Sequence, residues 1–116
     1  MAIHDAEQRL GRVVGIGASA GGVDALMRVV RRLPRDYPAA VCVVLHLPSS
    51  GRSLLAPILD RQTELEVVEA AEDQVLQPGR IYVAPNDRHL ILTDGHLRLG
   101  HDVPAAALAT AVSTWS

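Results

Sequence analysis

Aromatic residues are nearly missing from this chain: among 116 positions there is no Phe, two Tyr and one Trp. Any core must therefore be aliphatic, drawn from the Val, Leu, Ile and Ala that dominate its 48% hydrophobic content. Cysteine is limited to Cys42, so no disulfide can form within the chain, which fits a reducing compartment. Long apolar runs are also lacking. The longest, Ala39 to Leu47, is interrupted by His46 and is too short to cross a bilayer. Met1 to Arg12 is polar and mixed in charge, without the apolar stretch of a secretory signal. Neither sign of charge predominates: 21% of residues are charged and the net charge is −2, which argues against nucleic acid or an anionic membrane as partner. The expectation is a soluble, cytoplasmic protein without membrane insertion. At this length one domain can form, burying about 60–70% of the unfolded surface.

What is present is a change of period along the chain. Arg12 to Gly17 reads as a short buried strand rich in β-branched residues. From Gly21 the apolar residues Val23, Leu26, Met27, Val30 and Leu33 share one helical face, with Arg31 and Arg32 in the last turn and Pro34 as the stop. Pro34 to Pro38 is a turn. Ala39 to Leu45 shows no alternation, as expected of a strand covered on both faces. These pieces compose a βαβ unit with parallel strands and a right-handed crossover. A second helix is expected around Ser53 to Arg61, with Leu54, Leu55, Ile58 and Leu59 inward, an expectation that Pro57 counts against unless it lies in the first turn. Glu66 to Ala70 and Ile81 to Ala84 read as further strands. Thr93-Asp94-Gly95 joins His89–Leu92 to His96–Leu99 as a β-hairpin. No repeat is visible. The fold class is thus α/β, a doubly wound, mainly parallel sheet that is incomplete, with a hairpin near 89–99.

Gly17-Ala18-Ser19-Ala20-Gly21 fits G-x-S-x-G between a strand and a helix, the setting of a nucleophile elbow. Small neighbours permit a tight turn that exposes the Ser19 hydroxyl, and the N–H groups opening the helix face a developing oxyanion. Two other readings compete. Serine is a favoured helix N-cap, so Ser19 would simply satisfy backbone donors. Gly15, Gly17 and Ala20 also fit a loose dinucleotide fingerprint, but the second strand ends in Leu45-His46-Leu47-Pro48 with no acidic ribose ligand.

His46 bears on that choice. In a parallel βαβ unit Ser19 and His46 both leave the carboxyl ends of their strands, the edge where open parallel sheets bind ligands. If the strands are neighbours they lie about 5 Å apart, and the pair can meet. A packed strand-end histidine is the plainer alternative. His89 follows a strand and could line the same cleft, whereas His4, His96 and His101 show no metal-ligand spacing. No metal or other cofactor is expected.

Three blocks now carry a resemblance. Ile16-Gly17-Ala18-Ser19-Ala20-Gly21-Gly22 resembles the active-site serine motif of the CheB-type protein-glutamate methylesterases. Leu45-His46-Leu47-Pro48 is similar to that family's histidine motif, and Ala71-Glu72-Asp73 through Pro78-Gly79 to Ile81–Leu90 is similar to a third block. Order and spacing agree from about Arg12 to Gly100. The resemblance divides the chain into an N-terminal lead (1–11), a partial methylesterase catalytic domain (12–100) and a divergent tail (101–116).

What the resemblance implies is a Ser-His-Asp hydrolase, with Ser19 as nucleophile and His46 as base and no cofactor. Its substrate would be the γ-glutamyl methyl ester on the cytoplasmic helices of chemoreceptors, with glutamine deamidation as a related activity. Ala20 departs from the hydroxyl residue of many relatives, and no receiver domain precedes the motif. The family's catalytic aspartate belongs to a Gly-rich block beyond the matching region, and residues 101–116 hold no such block. Asp60, Asp73, Asp87, Asp94 and Asp102 match no motif and none is assigned. The alternatives are a non-catalytic binding module, an inactive homologue or, third, a nucleotide-binding half-domain.

Overall fold

The computed structural model describes residues 2–8, 11–46, 55–85, 89–93 and 96–100. Sequence readings that fall on Ser53, Leu54, Asp87, Asp94, Gly95 and the tail from His101 lie outside these residues. Five strands form the main sheet: β1 (Ala2–Gln8), β2 (Gly11–Ser19), β3 (Ala39–His46), β4 (Glu66–Glu69) and β6 (Arg80–Val83), in the order β1-β2-β3-β6-β4. A short β5 (Gln74–Val75) joins β7 (His89–Thr93) and β8 (His96–Gly100) in a smaller sheet ordered β5-β8-β7. Two α-helices, α1 (Val23–Arg31) and α2 (Leu55–Asp60), and a 3-10 turn, Ala20–Gly22, complete the elements among the described residues. From β2 to β4 every pairing is parallel, whereas β1 is antiparallel to β2.

The expected mainly parallel sheet is therefore present, and the pleat explains the sequence pattern. In β3, Ala39, Val41 and Val43 pack with Leu26 and Val30 of α1 and with Leu55 and Leu59 of α2. The alternate residues Ala40, Cys42 and Val44 pack on the opposite face with Leu76, Leu90 and Leu97. Ile81 and Val83 of β6 face the helices, and Tyr82 faces the small sheet. Both faces are thus covered, and a strand buried on two sides has no reason to alternate. Tyr82, fully buried, accepts a hydrogen bond from the Gln77 N–H at 2.8 Å and donates to the Val75 carbonyl at 3.4 Å. It ties the main sheet to the segment around β5.

α1 buries the expected stripe, with Leu26 and Val30 inaccessible and Met27 and Leu33 packed beside them. Asp24 lies in its first turn and Arg28 and Arg31 in its last, both favourable to the helix dipole. The chain then turns, with the Tyr37 N–H bonded to the Pro34 carbonyl. In α2 the first described turn contains Pro57, where it breaks no intrahelical bond. Ile58, expected inward, is instead 39% exposed. Leu55 and Leu59, four apart, occupy the inward face, and Ile58 falls on its flank.

The lead supplies a difference as well. Residues 2–8, in which the sequence suggested no element, pair with β2 rung by rung from Gln8 with Gly11 to Ala2 with Gly17. The polar composition hid the strand, because an edge strand is specified by its partner's open hydrogen-bonding groups more than by its own apolar pattern.

Candidate active site

β2 ends at Ser19, and one 3-10 turn, Ala20–Gly22, leads from it into α1. Ser19 keeps extended backbone angles (φ −89°, ψ 172°) and is exposed at the carboxyl edge of the sheet. It occupies the N-cap position of the 3-10 turn, yet its side chain makes no capping hydrogen bond. The plain capping reading of Ser19 therefore lacks the bond that would justify it. Gly22 caps α1 and brings no side chain, so the first N–H groups of the helix have no side-chain acceptor at the cap.

The register of the parallel pair β2–β3 sets the second residue. Rungs run from Arg12 with Ala39 to Ser19 with His46, so the last paired position of β2 stands beside the last position of β3. Adjacent strands are about 4.8 Å apart, which brings the two backbones side by side at the edge where α/β sheets hold ligands. The same parallel pairing has Val43 of β3 opposite Val83 of β6, so the edge continues into the segment after β6.

The dinucleotide alternative loses its geometry. Gly15 and Gly17 lie within β2, paired with Cys42 and Val44, and do not form the turn between strand and helix that a pyrophosphate needs. His89 opens β7 in the smaller sheet, His96 lies in β8, and His4 pairs with Gly15 in β1. Among the described residues no group of three or more His, Cys, Asp or Glu side chains is arranged to hold a metal ion.

Of the aspartates, Asp60 closes α2 at the opposite end of the sheet, and Asp73, with φ 61°, sits in the turn before β5. β4, which precedes that turn, is two strands removed from β3, or about 10 Å. Cys42 is buried on β3, and desolvation pushes its thiol up to about 12 from 9.0, which suits a packing role and not a nucleophile. No helix among the described residues is long and apolar enough to cross a membrane.

A family model described as CheB methylesterase matches residues 14–114. A protein-glutamate methylesterase/protein-glutamine glutaminase of Anaeromyxobacter dehalogenans is 41% identical over 101 residues, which cover 87% of this chain and 30% of that protein. One from Geobacter sulfurreducens is 38% identical over 98 residues, 84% of this chain and 26% of its own length. In three dimensions the chain is similar to the CheB methylesterase catalytic domain of Thermotoga maritima. The TM-score is 0.69 at 30% identity, covering 89% of this chain and 60% of that one. The chain thus spans under a third of these full-length relatives and about three fifths of the solved domain. Sequence, sheet order and structural likeness agree: this chain belongs to the CheB methylesterase family.

Proposed function

We propose that the chain carries the nucleophile and base of a serine hydrolase that acts on glutamyl methyl esters of chemoreceptor cytoplasmic helices, with glutamine side-chain amides as related substrates. The observation that carries the reading is the rung joining Ser19 to His46 at the carboxyl edge of the sheet. It is supported by the exposed, uncapped Ser19 and by the names of the related proteins, which are methylesterases and glutaminases. On this reading the protein works in the cytoplasm, where the signalling helices of receptors lie, and uses no cofactor.

The chemistry follows from the residue types. His46 takes the Ser19 proton as Oγ forms a bond to the ester carbonyl carbon, and the carbonyl oxygen becomes an oxyanion. Backbone N–H groups at the opening of α1 are the available donors for that charge. Collapse breaks the bond to methoxide, which leaves as methanol with the proton held by His46. Water, deprotonated by His46, then attacks the acyl-enzyme and releases the glutamate carboxylate and Ser19. An amide substrate follows the same steps with ammonia as leaving group.

Labelling with a serine-directed fluorophosphonate, followed by peptide mapping, tests the assignment. The wild-type chain should be modified on Ser19, Ser19→Ala should not be labelled, and His46→Gln should be labelled far more slowly. Equal labelling of all three would reject both roles. A folded wild-type chain that takes no label would favour a binding module that keeps the family fold without its chemistry.

A further inference from the structure

At the other end of the sheet, the last turn of α1 and the turn after α2 border an open, solvent-facing cavity of about 450 Å³. Its polar lining is Arg31, Arg32, Arg61, Gln62, Thr63 and Glu64. Because α1 runs back from the Ser19 turn, its nine residues at about 1.5 Å rise place its last turn, and with it the cavity, about 12 Å along the helix from the candidate catalytic edge. It belongs to a different surface.

The lining is rich in donors. Arg31, Arg32 and Arg61 are exposed and make no ion pair among the described residues, although the chain as a whole is acidic. Arg31 donates its Nε–H to Gln62 Oε1 at 2.6 Å, which holds its guanidinium in place and leaves its terminal nitrogens and the Gln62 amide hydrogens as donors. The Leu65 N–H occupies Thr63 Oγ1 at 3.2 Å, so the Thr63 hydroxyl can still donate. Glu64 is the one anionic side chain in the lining.

We infer that this arginine-lined cavity is a docking site for an acidic polypeptide segment, which places two or more carboxylates against Arg31, Arg32 and Arg61. Planar guanidinium groups take carboxylates two bonds at a time. The volume lies in the range of a pocket that accepts several side chains, larger than one small anion requires. Glu64 and the carbonyl end of α1 lower the local potential for any anion, so the attraction rests on the three guanidinium groups, which a segment with spaced carboxylates engages together and a single phosphate does not. Phosphate sites also use helix N-termini and runs of backbone N–H groups, and this cavity is built on helix C-termini. Nucleic acid is disfavoured by the lack of an aromatic platform in the lining.

The test uses the full chain and a fluorescein-labelled, glutamate-rich peptide read by anisotropy. The peptide should bind, its glutamine counterpart should not, and raising salt should weaken the complex. The Arg32→Gln/Arg61→Gln double variant should lose about tenfold in affinity, while Arg32→Lys/Arg61→Lys should keep part of it. Amide resonances of Leu33, Gln62 and Thr63 in the wild-type chain should shift on titration, which decides the matter if the variants fold poorly. Unchanged affinity in a folded double variant would overturn the inference. Shifts confined to the Ser19 end would do the same, as would tighter binding of single-stranded oligonucleotide or inorganic phosphate. The peptide contains no ester, so the result is independent of the Ser19 labelling.

Discussion

Cys42 offers a measurement of the core that no other side chain provides. It lies at the centre of β3, between Gly15 of β2 and Tyr82 of β6, and is buried. Burial moves its thiol from 9.0 to about 12, so the folded protein keeps the proton over a range in which the unfolded chain loses it. Between those two values the native state binds more protons than the unfolded state, and stability falls as pH rises. Below pH 9 the contribution is constant. Through pH 12 the whole shift costs on the order of 4 kcal/mol, at 1.36 kcal/mol per unit, and at pH 10.5 about half of that has been lost. Cys42→Ala abolishes the titration while leaving every other ionisable group in place. The assay is urea unfolding of both proteins at pH 8 and pH 10.5. The wild type should lose about 2 kcal/mol more than the variant between those conditions. Equal losses would refute the reasoning. Rapid reaction of the native thiol with a disulfide reagent at pH 8 would contradict the burial itself.

Tyr82→Phe removes the hydroxyl that joins Gln77 and Val75; because both of these residues are exposed, water can replace it, and the expected cost is about 1 kcal/mol in urea melts. A loss above about 3 kcal/mol would mean that the bonds are sealed from solvent. Gly79 has φ 81° with its N–H bonded to the Ala39 carbonyl, and an added Cβ would meet nothing closer than 3.8 Å. Gly79→Ala should therefore cost only the left-handed backbone strain, about 1–2 kcal/mol, seen as a lower Tm; an unchanged Tm would contradict the assigned φ. Methyl-ester hydrolysis by the 116-residue chain should be feeble, and fusion to the downstream segment of the Thermotoga maritima domain should raise it by up to about 10⁴, the effect of a histidine-orienting aspartate in serine proteases. Full activity in the unfused chain would require the orienting carboxylate to come from within it or from a second copy.

The sequence was most legible where physics leaves one solution. The unbroken apolar run of β3 required two covered faces, and helices on one side with the small sheet on the other supply them. The stripe on α1 required a buried Leu26 and Val30, and both are inaccessible. The Ser19–His46 rung was also within reach of sequence, since a right-handed βαβ unit with adjacent strands leaves little freedom in register once both strands end at the same edge. Elements whose cause lies elsewhere in the chain were hidden. β1 owes its place to the open edge of β2, and the two residues of β5 owe theirs to β8. Ile58 was misplaced because six helical residues cannot distinguish an apolar face from its flank by pattern alone. The arginine cavity was unreadable because Arg31 and Arg61 meet only through the packing of two helices.

The β1–β2 hairpin also has a kinetic meaning. Its first rung, Gln8 with Gly11, closes a loop of only a few residues, whereas every β2–β3 rung spans 27 positions, from Arg12 with Ala39 to Ser19 with His46. Closing the longer loop costs about 2 kcal/mol more chain entropy by the logarithmic rule, so the hairpin is the pairing that chain statistics favour first. A β2 already zipped to β1 has its extended span fixed before the crossover helix returns. β3 then docks against a strand whose extended span is already set. A slip of one residue would turn every side chain of β3 to the wrong face and move His46 one step off Ser19. The polar strand that the sequence pattern concealed thus acts as a ruler for the edge that carries the Ser19–His46 rung.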